Sequence, residues 1–189
     1  EYFNDLDFYY NIGPGNPLGQ AIGSVVANAS LDLLLQHTNV TNTSALYLNF
    51  VHDTNLIEYM TAFGIALPSQ DLPWEQAVFP NLYSQLTPMG ARLNLEKLVC
   101  MDSGVKQSYV RFVINEAVFP FPNCTSGPGF SCPLDNYIAI QNSRLQNTVK
   151  ACGIDSDYSY PKNLTFYWDW KTNPEKYINV NDVSSNDSF

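Results

Sequence analysis

The stretch Leu46-Tyr-Leu-Asn-Phe-Val51 runs directly into His52-Asp53-Thr54-Asn55 and then Leu56 to Gly64. Residues 46–51 are almost continuously apolar or aromatic, the composition of a short buried β-strand. After Asn55 the apolar positions Leu56, Met60 and Phe63 share one helical face, and Gly64 is suited to the left-handed stop just past a helix end. A strand handing over to a helix points to an α/β arrangement, and such sheets bind ligands beyond the carboxyl ends of their strands.

That handover is where the chemistry gathers. The first N–H groups of the helix lack intrahelical partners and carry the positive end of its dipole, so an anion is welcome there. His52 can add a charged donor to an anion's oxygen, and Asp53 can give or take a proton. Thr54 and Asn55 either cap the helix or line the site. A plainer alternative has Asp53 or Thr54 as a simple N-cap and His52 as a core histidine.

Outward from this point, Gly13-Pro14-Gly15-Asn16-Pro17 is turn chemistry. It precedes a helix from Leu18 to Leu35, in which Ile22, Val25, Val26, Ala29, Leu33 and Leu34 recur at helical spacing. His37 to Ser44 is polar and loop-like, and His37 is expected there as an inert surface residue. Alternation over Arg92–Leu98 and again over Tyr109–Val118 predicts two strands, paired across the polar stretch Asp102–Ser108. Pro133 to Leu145 predicts a helix with Pro133 near its first turn. Leu164 to Trp170 is rich in strand formers, with Trp168 and Trp170 as packing residues, and the chain after Thr172 is polar enough to fray. There is no internal repeat or linker, so residues 1–189 are expected to be one α/β unit.

The 189 residues carry nine Lys plus Arg against 18 Asp plus Glu, a formal charge of −9. Such a chain offers no electrostatic footprint for nucleic acid and is repelled by anionic membranes. No apolar run approaches the roughly 20 residues that span a bilayer. Charged residues are only 14% of the total, well below the average of about 25%, so surface polarity has to come from elsewhere. Six Asn-x-Ser/Thr sequons, at Asn28, Asn39, Asn42, Asn123, Asn163 and Asn186, supply a candidate: bulky, solubilising sugar.

The four cysteines agree with an oxidising, secretory setting. Cys124 and Cys132 bracket Thr-Ser-Gly-Pro-Gly-Phe-Ser, a Gly/Pro loop able to bring its ends together. Closing it removes about 2.6 kcal/mol of unfolded-chain entropy on the loop model. Cys100 and Cys152 can pair with each other or with partners outside the chain. With no Cys-x-x-Cys and only two His, neither a metal nor another cofactor is expected. Because the first residue is Glu1 and a secreted protein needs a leader, a mature or internal piece of a longer precursor is expected.

His52-Asp53-Thr54-Asn55, with Leu46-Tyr-Leu-Asn-Phe50 before it, resembles the C-terminal His-Asp motif of the histidine acid phosphatases. The likeness is to their secreted fungal and yeast acid phosphatase and phytase branch. It extends in order through Asp5-Leu-Asp-Phe-Tyr-Tyr10 with Gly13-Pro-Gly15, Asn28-Ala-Ser-Leu-Asp-Leu-Leu34 and Pro88-Met-Gly-Ala-Arg92. Tyr109-Val-Arg-Phe-Val-Ile-Asn-Glu-Ala-Val118, Cys124 to Pro133 and Leu164 to Trp170 complete it.

The resemblance implies the phosphoglycerate mutase-like α/β fold, of which this chain would be the C-terminal portion. It implies hydrolysis of phosphate monoesters through a phosphohistidine, with His52 donating to phosphate and Asp53 as proton donor. Phytate is the leaning for substrate, with broad-specificity acid phosphatase activity or a non-catalytic glycoprotein module as alternatives. The family's nucleophile sits in an Arg-His-Gly motif that this sequence lacks, so the N-terminal portion of the same enzyme is the expected partner. The resemblance further implies that Cys100 and Cys152 bridge to that portion while Cys124–Cys132 is local. It is also compatible with a homo-oligomer and with an acidic optimum.

Overall fold

The structure is a computed structural model that describes residues 2–36, 46–68, 70–73, 83–102 and 104–153. Helix α1 (Tyr2–Asn11), which the sequence patterns did not single out, buries Asp5, Leu6, Phe8 and Tyr9. Its tyrosines fasten the 71–73 segment: Tyr9 donates to the Asp71 carboxylate, Tyr10 to the Leu72 carbonyl at 2.7 Å, and Tyr2 to the Pro73 carbonyl. Asp5 is wholly buried and accepts the Ser84 N–H at 2.7 Å and its hydroxyl at 3.1 Å. Burying a carboxylate is costly without partners, and these two offset that cost.

Helix α2 (Gly19–Gln36) lies within one residue of the helix expected over Leu18–Leu35. It packs along α3 (Asp53–Phe63), which ends on Gly64 at φ +79°, the left-handed stop anticipated for it. The crossing is close: a Cβ on Gly23 would stand 2.0 Å from the Glu58 carbonyl oxygen. Glycine at position 23 is what lets these two backbones meet. A short helix, α4 (Tyr83–Leu86), packs on α1.

Strands β1 (Leu93–Asp102) and β2 (Val105–Ile114) form an antiparallel hairpin with Leu95 opposite Phe112. The hairpin is longer than expected, because pairing continues through Asp102 opposite Val105, and Gly104 takes φ +82° at the reversal. The second strand is also shorter at its far end. Asn115 adopts φ +55°, and the chain folds back as β3 (Ala117–Phe119) against Phe112–Ile114. Asn tolerates that left-handed conformation better than most residues, so a polar position that fits the alternation ends the strand. A last short strand, β4 (Cys132–Pro133), pairs with Tyr109–Val110. The four described strands are all antiparallel, with β2 flanked by β1 on one side and by β3 and β4 on the other.

Helix α5 (Leu134–Arg144) starts one residue later than expected, with Pro133 as its N-cap, and α6 (Thr148–Ala151) follows. The core lies between the helices and the inner face of β2. Phe112 sits at its centre, with ring centroids 5.2 Å from Phe63, 5.9 Å from Phe121 and 6.0 Å from Tyr137. Its neighbours in alternation, Val110 and Ile114, are buried as the pattern demanded.

The buried strand expected over residues 46–51 is not observed. The segment is outside the described sheet, and Leu46, Leu48 and Phe50 are 68%, 67% and 96% exposed. A strand apolar on both faces needs cover on both, and the described elements do not provide it. The stretch Leu164–Trp170 and the polar end after Thr172 lie outside the described residues.

Candidate active site

Helix α3 is held firmly everywhere except where the chemistry is expected. Ile57, Met60, Ala62 and Phe63 are buried, and Gly64 and Ile65 both donate to the Met60 carbonyl at 3.0 Å. Two side chains of α5 cover the carbonyls at this end: Gln141 Nε2 donates to Phe63 O at 2.9 Å and Arg144 Nη2 to Thr61 O at 3.2 Å. Burial pulls the Arg144 pKa below its ordinary value, because the charged form loses water there. A cation beside a helix C-terminus also complements the dipole.

At the other end, His52 is the N-cap, with extended backbone (φ −82°, ψ 164°), and Asp53 is the first helical residue. Neither Asp53 nor Thr54 is therefore the cap. Asn55 Oδ1 accepts the His52 N–H at 3.2 Å, and its amide donates to Glu58 Oε2 at 3.2 Å. Asn55 thus works as a helix cap. The Thr54 N–H donates to Asp53 Oδ1 at 2.8 Å, which orients the carboxylate over the first turn. His52 and Asp53 are both exposed, so the core-histidine alternative does not hold.

Among the described residues no cation lies paired with this site. Arg92 pairs with Glu116, Arg111 with Glu96 at 2.6 Å, and Arg144 is committed to Thr61 at the opposite end of α3. The described residues therefore offer an anion a helix N-terminus, one imidazole and one carboxyl, and among them no positive clamp. One cavity of about 180 Å³ does exist, lined by Asn16, Gln20, Thr61, Arg144 and Gln146 among others. It sits at the C-terminal end of α3 and has no part in the His52–Asp53 site.

The remaining expected sites distribute as follows. Cys124 and Cys132 are disulfide-bonded with Cα atoms 4.9 Å apart, while Cys100 and Cys152 are half-buried free thiols. Asn28 and Asn123 are exposed, as an acceptor of sugar must be. Asn39, Asn42, Asn163, Asn186 and His37 lie outside the described residues. No three metal-ligating side chains converge among the described residues, and no described helix is long and apolar enough to cross a membrane.

Sequence patterns missed three residues that set this geometry: Gly23, Gln141 and Arg144. Signals existed for the first two. Gly19 and Gly23 stand four apart within the helical pattern, and Gln141 is a polar residue on the apolar stripe Leu134–Tyr137–Ile138.

A family model described as histidine phosphatase superfamily (branch 2) matches residues 1–115. Phytase PHO112 of Candida albicans is 44% identical over 174 residues, covering 90% of this chain and 36% of that protein. Acid phosphatase PHO1 of Komagataella pastoris is 42% identical over 172 residues, covering 89% and 36%. Among solved structures, the phytase from D. castellii superposes with a TM-score of 0.75 at 40% identity, over 90% of this chain and 36% of that one. The chain thus spans about 36% of the length of these relatives.

Proposed function

The chain belongs to branch 2 of the histidine phosphatase superfamily and carries part of that α/β fold, and from that premise we propose that it is the proton-donor portion of an acid phosphomonoesterase. The observation that carries this is the placement of His52 and Asp53, side by side and solvent-accessible at the N-terminus of an anchored helix. In the proposed reaction, an imidazole of the N-terminal portion attacks phosphorus. The N–P bond forms as the P–O bond to the leaving alcohol breaks. Asp53 gives its proton to that oxygen, and His52 donates to a phosphate oxygen. Water then cleaves the phosphohistidine. A carboxyl must carry its proton to serve as the donor, so an acidic optimum is part of the proposal.

Asp53→Asn in the full-length enzyme is the test. Turnover of an alkyl phosphate should fall about 10²–10⁴-fold, and turnover of an aryl phosphate, whose phenolate leaves unaided, much less. Equal, undiminished rates on both would remove Asp53 from the role.

Phytate is the proposed substrate, supported by the name of the Candida albicans relative. A broad-specificity acid phosphatase is the second reading, favoured by the names of the Komagataella pastoris and Kluyveromyces lactis relatives. The ratio of kcat/KM for phytate to that for a simple aryl phosphate separates them. Secretion, glycosylation and bridges from Cys100 and Cys152 to the N-terminal portion belong to the same proposal. A mass loss on enzymatic deglycosylation, mapped to Asn28 and Asn123 first, would support it, and unmodified peptides at both would count against it.

A further inference from the structure

The two described sequons are held in different ways. Asn28-Ala-Ser30 lies along α2 with no cysteine in it, whereas Asn123-Cys-Thr125 is tied into the core through its middle residue. Asn123 and Thr125 are exposed, but Cys124 between them is only 5% exposed and is bonded to the wholly buried Cys132. The Cys124 N–H donates to the Phe121 carbonyl at 3.0 Å. Phe121 in turn lies in the aromatic core, with ring centroids 5.9 Å from Phe112 and 5.5 Å from Tyr137. Across the bridge, Cys132 is paired with Val110 of β2.

Sugar transfer asks more of a sequon than an exposed Asn. The bond from Asn Nδ2 to C1 of the sugar forms as the C1–O bond to a lipid-linked diphosphate breaks. One amide proton goes to a base of the transferase, and the lipid diphosphate leaves. To hold the Asn amide and the Thr hydroxyl in one cleft, the transferase needs all three residues as a pliable strand clear of the protein surface. In the folded chain Cys124 cannot be lifted clear without breaking its disulfide or opening the core around Phe121. We propose that Asn123 accepts sugar only while the Cys124–Cys132 bridge is open, so that disulfide closure and glycosylation compete at this sequon. The proposal rests on the secretory reading given above. Once attached, the sugar is compatible with the fold, because Asn123 itself points to no buried partner and is exposed.

The two reactions run on comparable clocks. Cys132 follows Cys124 by eight residues, which a ribosome adds in roughly 0.4–2 s. A loop this short brings its ends together in well under a microsecond, so closure waits on the oxidant, a matter of seconds or longer. In that closure the two thiols give two electrons and two protons to the disulfide of a lumenal oxidant, which departs as a dithiol. Asn123 is therefore expected to be modified on some chains and not on others, with the redox state during synthesis setting the proportion.

Site occupancy by mass spectrometry, on newly made full-length protein from a secreting host, tests this. Cys132→Ser is the informative variant, because position 132 lies outside the sequon and acts on it only through the bridge. Reading newly made chains also makes the result independent of whether the variant later folds. Occupancy at Asn123 should rise at least about twofold over the wild type, while occupancy at Asn28 stays the same. A brief pulse of dithiothreitol during synthesis of the wild type should raise Asn123 in the same way. Equal occupancy at Asn123 in wild type and variant, with Asn28 modified in both, overturns the competition and leaves the secretory reading standing. A parallel rise at Asn28 and Asn123 also overturns it, since slower folding of the whole chain would then be the cause. Unmodified Asn28 and Asn123 in every sample would sink the secretory reading and the inference with it.

Discussion

The two ends of α3 are built in opposite ways. At its C-terminus the helix is finished by its own chain: Gly64 closes it, Gln141 and Arg144 reach across from α5 to its carbonyls, and Phe63 packs on Phe112. At its N-terminus the partners among the described residues are local, within the four residues His52 to Asn55 and Glu58. The first end supplies rigidity and the second is left open. A site that must hold a carboxyl and an imidazole in register needs both, since precision at the open end is inherited from anchoring at the closed one.

Disturbing the anchored half should matter most. Gly23→Val would drive a branched side chain into the Glu58 carbonyl, which is backbone and cannot rotate away. The expected loss is about 3 kcal/mol or more, at or beyond the upper range for overpacking, visible as a large fall in the denaturant midpoint. If stability were unchanged, the α2–α3 crossing would have to be looser than described.

Gln141→Ala comes next. It empties a fully buried position and strips Phe63 O of its donor. Removing the partnerless buried Oε1 of the same side chain offsets part of the cost. A loss of about 2 kcal/mol is expected from the cavity and the unsatisfied carbonyl together. Thermal melting would check it, and a change below a few tenths would show that the cap is dispensable.

The open end should be nearly silent in stability. Asp53→Asn in this chain removes a charge favoured at a helix N-terminus, a term of about 0.3–1 kcal/mol that salt weakens. Measuring the difference at low and high ionic strength sharpens the contrast with Gln141. A loss of several kcal/mol would mean that the open end is anchored after all.

How much of this was legible beforehand varied with the kind of signal. Helix α2 and the Gly64 stop were readable because helical spacing and a left-handed glycine are local properties. The alternation of Val110, Phe112 and Ile114 correctly named the core face of β2. The break at Asn115 was not legible, since a residue at φ +55° looks in sequence like any other polar position. Helix α1 was passed over because its tyrosines blur the apolar stripe, and their partners lie more than 60 residues away.

Residues 46–51 teach the opposite lesson. Their apolarity specified that they want to be buried, yet burial needs a second surface, and a single stretch of sequence cannot say where that surface is. By itself the chain determined its helix periodicity, its hairpin face and the adjacency of His52 and Asp53, because each depends on neighbours along the backbone. Only the tertiary structure decided that Gly23 sets the α2–α3 distance and that Arg144 serves the far end of α3. Those outcomes depend on groups distant in sequence competing for the same space and the same hydrogen bonds.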